Sequence, residues 1–149
     1  MSTKRVACLF AAACVMVAAP GIVRAAQGTA KTTWDGVYAD AQARTGETLY
    51  ADKCAECHAA NGSGGFGPPL AGPVFATGWD GMPLSDLFDR IKATAPASNP
   101  RTLSKDEVTA LIAYLLEMNG FPSGPSDLPN TAELLKPIRF VSANPNAGH

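Results

Sequence analysis

"CAECHAANG", residues 54–62, places two thiols and one imidazole within five consecutive positions, with little else nearby that is chemically active. Three chemistries use two cysteines spaced in this way: a redox disulfide, a zinc site, and a covalently attached haem. The choice among them depends on what the rest of the chain supplies, and it decides what kind of fold the chain needs.

The first residues are read apart from the fold. Lys4 and Arg5 precede the apolar run Val6–Ala19, then Pro20 and Gly21, with Val23 and Ala25 at the −3 and −1 positions of a cleavage site. That order of charged, apolar and small residues predicts a secretory signal over 1–25. The alternative, an uncleaved anchor, is disfavoured because a membrane span needs about 20 apolar residues. A lipoprotein site ending at Cys14 would leave a still shorter run. Removing 1–25 takes Cys8 and Cys14 away, so Cys54 and Cys57 are the two cysteines that stay. It also takes Lys4, Arg5 and Arg24 from the 12 basic residues, leaving nine against 13 acidic ones, a net charge of −4. A chain with that balance and no basic cluster is a poor partner for nucleic acid. The length that remains suits one domain with one modest core.

Residues 26–37 form a leader, expected to be mobile over its polar part, 26–33. A first helix is predicted from about Tyr38 to Cys54, with Ala43, Gly46 and Tyr50 on one face. "NGSGGFGPPLAGP" (61–73) reads as loop. A second helix is expected to start near Ser85 as N-cap, with Leu84, Leu87, Phe88 and Ile91 as its stripe. "TAPASNPR" (94–101) is a second loop. The last helix carries the strongest signals. Ser104 and Glu107 form a capping box, Val108, Leu111, Ile112 and Leu115 make the buried stripe, and Gly120 with Pro122 ends it. From Phe121 the proline-rich tail, 121–149, is expected to lie as an extended strap or stay loose. No strand-like alternation appears. The fold class is all-α, few helices and long loops, and loops this long need something large to wrap around.

The thiols can now be assigned. A thioredoxin-type pair belongs in a fold with strands, which are missing. Zinc takes four protein ligands in a structural site and three in a catalytic one, whereas the chain after residue 25 offers Cys54, Cys57, His58 and the terminal His149. A disulfide between Cys54 and Cys57 would constrain little of the unfolded chain. Haem fits. Cys-x-x-Cys-His is the attachment signature of c-type haem, with one thioether from each thiol and His58 as the proximal iron ligand. Export fits as well, since this attachment takes place outside the bacterial cytoplasm.

Beyond this motif the chain resembles a class I cytochrome c, and more narrowly the small cytochromes that accompany quinoprotein alcohol dehydrogenases. The likeness is carried by "TWDGVYADAQARTGETLY" (33–50), "CAECH" (54–58), "GPPLAGPVF" (67–75), "GWDGMPLSDLFDRI" (78–91), "LSKDEVTALIAYLLEMNGFPSG" (103–124) and "LKPIRF" (135–140). The resemblance implies the class I cytochrome c fold around one covalent haem c, with the cytochrome domain over 38–120. It implies that Gly46 and Tyr50 cross Leu111 and Tyr114. It also implies that the Pro68 carbonyl accepts the Nδ1 proton of His58, that Leu70 lies against the haem, and that the Trp79 indole reaches a haem propionate, with an ordinary core tryptophan as the alternative.

The resemblance breaks at one place. Where the family has Thr-Met-Pro, with the methionine as sixth iron ligand, this chain has Thr94, Ala95, Pro96. Three outcomes stay open: an open or water-bound iron, Met82 of "DGMPLS" as a substitute ligand, or another group such as Met118, Lys92 or His149. Ala95 is also open to being a degenerate or introduced change in an ordinary carrier. Two functions follow. The first is a periplasmic electron carrier, not an enzyme, between a dehydrogenase donor and an oxidase or cytochrome acceptor, with no stable membrane span after cleavage. Its acidic charge would suit a partner with a basic or neutral patch. The second is an open-site haem protein that binds NO, CO or peroxide.

Overall fold

The computed structural model describes residues 31–145 and 147. The signal expected over 1–25, the first part of the leader, and His149 lie outside the described residues. Among the described residues there are six helices and no strands, apart from two isolated bridges that join Arg139 to Thr32 and to Pro83.

Helix α1 (Asp40–Lys53) packs against α5 (Lys105–Met118), and this pair is the frame of the molecule. Ala43, Gly46 and Tyr50 are the buried positions of α1, at the spacing the sequence predicts. A Cβ on Gly46 would overlap the Ala110 carbonyl oxygen and sit 2.9 Å from Tyr114 Cβ, so only hydrogen lets the two backbones approach this closely. The Tyr50 and Tyr114 rings meet at a tilt of 58° beside it, centroids 5.4 Å apart.

Helix α5 is defined at both ends by its own residues. Ser104 Oγ accepts from the Glu107 N–H at 3.1 Å, and Glu107 Oε2 accepts from the Ser104 N–H at 2.7 Å. This reciprocal pair satisfies two N–H groups that the helix start leaves unbonded. At the other end the Gly120 N–H bonds to Glu117 O and the Phe121 N–H to Leu116 O, with Gly120 at φ +78°. That is a Schellman ending, which requires the left-handed conformation glycine adopts without penalty.

Between the two lie α2 (Ala55–His58), α3 (Pro73–Trp79) and α4 (Leu84–Thr94). Three expectations are corrected here. Residues 73–79 form a helix, with Pro73 at its first turn, where a missing N–H costs nothing. Helix α4 begins two residues earlier than expected, with Pro83 in place of Ser85 as its N-cap and no side-chain cap bond; Ser85 is buried inside the helix and its hydroxyl donates to Asp86 at 3.2 Å. Residues 31–33 are held in place, because they are sewn to the strap at Arg139. Thr33 is buried, its N–H bonds to Arg139 O at 3.0 Å, and the Arg139 N–H bonds to Lys31 O at 2.8 Å.

The tail from Phe121 is a packed strap. Leu128, Leu135, Ile138 and Phe140 are buried in the same core as α1 and α5, and α6 (Ala132–Leu135) sits within it. Gln42 grips the strap with both halves of its amide, donating to Leu128 O at 3.1 Å and accepting from the Leu128 N–H at 2.8 Å. Edge-on ring contacts run from Trp34 to Phe121 (4.8 Å), Phe140 (5.1 Å) and Phe75 (5.9 Å), then on to Trp79 at 6.3 Å. The N-terminal segment, the strap and α3 therefore share one aromatic core, and α3 is fixed against it.

Candidate functional site

A cavity of about 640 Å³ opens between α2, the 61–72 loop, α3, α4 and the following loop, with Leu111 and Leu115 of α5 on its floor. Cys54, Cys57 and His58 all line it. The reason lies in the local backbone. Cys54 caps α1, its N–H bonded to Tyr50 O at 2.9 Å, and its own carbonyl accepts from Cys57 N–H (3.1 Å) and His58 N–H (3.0 Å) to start α2. One short turn thus turns both thiols and the imidazole toward the same space. The thiols are free, and burial pushes that of Cys54 above its ordinary value, which Lys53 partly offsets.

His58 is held from the loop that follows. Its Nδ1 lies 2.7 Å from the Pro68 carbonyl oxygen. A carbonyl only accepts, so Nδ1 carries the proton and Nε2 keeps its lone pair for another partner. The loop is knit to the motif by Gly64 N–H to His58 O (2.9 Å) and Gly67 N–H to Cys57 O (2.8 Å). At Gly67 a Cβ would come within 2.6 Å of His58 Cε1 and 2.8 Å of Nδ1, so a side chain there would displace the ring.

Pro68, Leu70 and Trp79 also line the cavity, bringing together the residues that the sequence assigned to one cofactor. Trp79 packs its ring on Phe75, and no hydrogen-bond acceptor for its indole N–H is found among the described residues. Ala95 lines the opposite loop together with Thr94, Pro96 and Ala97.

Met82, the candidate sixth ligand, does not line the cavity. It is 37% exposed on the turn before α4, where its N–H bonds to Trp79 O at 3.0 Å and its carbonyl accepts from Phe140 N–H at 2.8 Å. The strap thus pins the backbone of this turn. Met118 and Lys92 are also engaged elsewhere, while His149 lies outside the described residues. A Cβ on Gly62 would overlap the Met118 sulfur, which places that sulfur behind the 61–72 loop. The Lys92 ammonium donates to the carbonyls of Leu103 and Arg101.

Four features escaped the sequence reading. Asn119, at the end of α5, accepts from Gly72 N–H at 2.9 Å and donates to Leu70 O at 3.0 Å and Leu115 O at 2.8 Å, tying the 61–72 loop to the frame. The "NG" after the α5 stripe is the sequence signal, since a short amide at a helix end is placed to bond backbone groups. In the sequence Gly67 is one glycine among several in the 61–73 loop. Phe66, 98% exposed, and Val74, 71% exposed, line the cavity rim. Lys53 and Arg90 are the charged side chains of its lining, and Lys53 is paired to Asp52 at 3.1 Å.

The donor set fits a covalently tethered, largely apolar, planar group. Two thiols and one imidazole with a fixed tautomer face an otherwise mostly aliphatic and aromatic wall. A bare metal ion fits poorly, because among the described residues no group of three or more His, Cys, Asp or Glu is placed to hold one. No helix of the described residues is long and apolar enough to cross a membrane.

Comparison with known proteins agrees with this. A solved structure that the chain resembles is the sulfane dehydrogenase SoxCD from Paracoccus pantotrophus, at 28% identity and a TM-score of 0.50, over 76% of this chain. The match spans 63% of that chain, less than two-thirds of its length. No functionally curated protein matches in sequence. The family model described as "Cytochrome C oxidase, cbb3-type, subunit III" matches residues 41–115. That stretch runs from α1 through the Cys-x-x-Cys-His turn to the α5 face that floors the cavity, so the chain belongs to this cytochrome c family and is a class I c-type cytochrome with covalently bound haem c.

Proposed function

We propose that this protein carries single electrons in the periplasm between a dehydrogenase, of the quinoprotein kind by its resemblance, and the respiratory chain. The observation that carries this reading is the convergence of Cys54, Cys57 and a Pro68-bonded His58 on one apolar cavity. When bound there, haem c supplies a one-electron couple. The chain's own residues supply attachment, orientation and exclusion of water. Cys54 and Cys57 form the two thioethers. His58 presents Nε2 because Pro68 holds the Nδ1 proton, a bond that also raises the basicity of the ring. Leu70 would lie against the haem, and the N–H of Trp79, which lines the same cavity, would serve a propionate. Export through residues 1–25 supplies the compartment in which attachment takes place.

A second reading has a specific observation behind it. Ala95 occupies the cavity wall with a methyl group, while Met82, Met118 and Lys92 are each bonded or packed elsewhere. With the sixth position on the Ala95 side, none of these three side chains would ligate the iron, and a small molecule such as NO or CO would have room there.

The optical spectrum of the purified holoprotein tests both readings, oxidised and reduced, with and without CO, followed by acid–acetone extraction. Colour that stays with the protein after extraction supports the thioether assignment, and colour that leaves with the solvent overturns it. Reversible one-electron reduction without CO binding supports the plain carrier. Rapid CO binding, with no methionine-to-iron charge-transfer band, supports the open site.

A further inference from the structure

We propose that Asn119 positions the His58 imidazole from the far end of the chain, acting through the 68–72 loop. The proposal rests on His58 being the proximal ligand and asks what sets the strength of its bond to Pro68.

The path is short. His58 Nδ1 meets the Pro68 carbonyl at 2.7 Å. Two residues on, the Leu70 carbonyl accepts from Asn119 Nδ2 at 3.0 Å, and the Gly72 N–H donates to Asn119 Oδ1 at 2.9 Å. The same Nδ2 is anchored on its own helix, donating to Leu115 O at 2.8 Å. Pro69 stands between grip and carbonyl, and its ring locks its φ near −65°. A shift of Leu70 is therefore passed to the Pro68 carbonyl instead of being absorbed by rotation. Only an amide serves this place: it must donate to two carbonyls and accept from one N–H, which a carboxylate or an alkyl group cannot do.

A firm Nδ1–H···O bond makes the imidazole a stronger donor and favours the oxidised metal. Loosening the grip therefore favours the reduced form. Asn119→Asp keeps the acceptor for Gly72 and loses both donor bonds; Asn119→Ala loses all three. Gln42→Ala is the control, because Gln42 makes the same two-way grip on Leu128, whose contacts lie off the cavity wall.

The experiment uses holoprotein of all four chains and reads the midpoint potential and, by proton NMR of the reduced form, exchange of the His58 Nδ1 proton. The expected result for Asn119→Asp is a roughly tenfold shift toward the reduced form at fixed ambient potential, 59 mV for one electron. Its Nδ1 proton also exchanges faster, while Gln42→Ala lowers stability and moves neither readout. Where Asn119→Ala fails to load haem, Asn119→Asp carries the test. The proposal is overturned if the Asn119 variants lose stability like Gln42→Ala with both readouts unchanged. If the His58 ring of the unaltered protein shows no iron-shifted resonances, the ligand assignment itself fails, a result distinct from the first.

Discussion

The α-carbon of Gly46 faces the carbonyl of Ala110 so closely that an added methyl would fall within 2.6 Å of the Ala110 carbonyl carbon. The neighbour is backbone, so it cannot swing aside. Gly46→Ala gains about 1 kcal/mol of helix propensity but forces α1 and α5 apart, at about 3 kcal/mol or more. Against a total stability of about 5–15 kcal/mol the second effect wins. Chemical denaturation followed by circular dichroism is expected to show a large loss; an unchanged midpoint would mean that the helices do not meet at this residue.

The capping box at Ser104 gives a smaller and cleaner loss. Ser104→Ala removes the bond to the Glu107 N–H and is expected to cost about 1 kcal/mol, or about 4 °C in melting temperature. The reciprocal bonds from Ser104 hold the Glu107 carboxyl below its ordinary value of 4.5. A carboxylate depressed in the folded state stabilises above its unfolded pKa, and that contribution is lost as pH falls through the folded one. Glu107→Gln is therefore expected to be less stable than the parent at pH 7, with the difference shrinking below pH 4.5. Melting curves taken from pH 7 to pH 3 check the sign.

What the sequence made legible was whatever is encoded locally. Cys54, Cys57 and His58 sit in one turn, and the Ser104–Glu107 box and the Gly120 stop are each readable within four residues. The α1 face of Ala43, Gly46 and Tyr50 follows from periodicity. The misses are long-range. Helix α3 was hidden because Pro73 and Gly78 look like loop residues until Phe75 is seen packed on Phe140. The strap looked loose because nothing local in 121–140 shows that Gln42, 86 positions away, will hold Leu128. Met82 imitated the expected Met-Pro pair, and it is the backbone pairing of its turn with Phe140 that keeps it off the cavity.

Tyrosine burial sets an alkaline limit. Tyr38 donates to Phe121 O at 2.7 Å and Tyr50 to Ala59 O at 2.8 Å. Burial pushes both hydroxyls up from 10 to about 12. The unfolded chain releases these protons first, so stability is intact below pH 10 and falls as pH rises toward 12. Tyr38→Phe is expected to cost about 1 kcal/mol at pH 7 by leaving the Phe121 carbonyl unpaired. Its stability is also expected to decline less steeply above pH 10 than that of the parent. Lysine titration is common to both proteins, so denaturation midpoints compared between them isolate the tyrosine contribution.

The most informative substitution restores what the family pattern has and this chain lacks. Ala95 closes α4, its N–H bonded to Ile91 O at 2.9 Å, and it stands on the cavity wall. Ala95→Met adds a flexible thioether at that wall without altering the backbone bonds that hold it. A thioether opposite His58 raises the reduction potential and occupies the position a small ligand would need. The expected outcome is a higher midpoint potential, a new methionine-to-iron charge-transfer band, and loss of whatever CO binding the unaltered protein shows. Met82→Leu is the companion variant, and it is expected to change none of these, because Met82 lies outside the cavity. If Met82→Leu abolishes the charge-transfer band of the unaltered protein, the turn before α4 moves when haem is attached, and the carrier has two protein ligands after all. If Ala95→Met leaves CO binding untouched, the sixth position does not face Ala95, and the open-site reading loses the geometry that supports it.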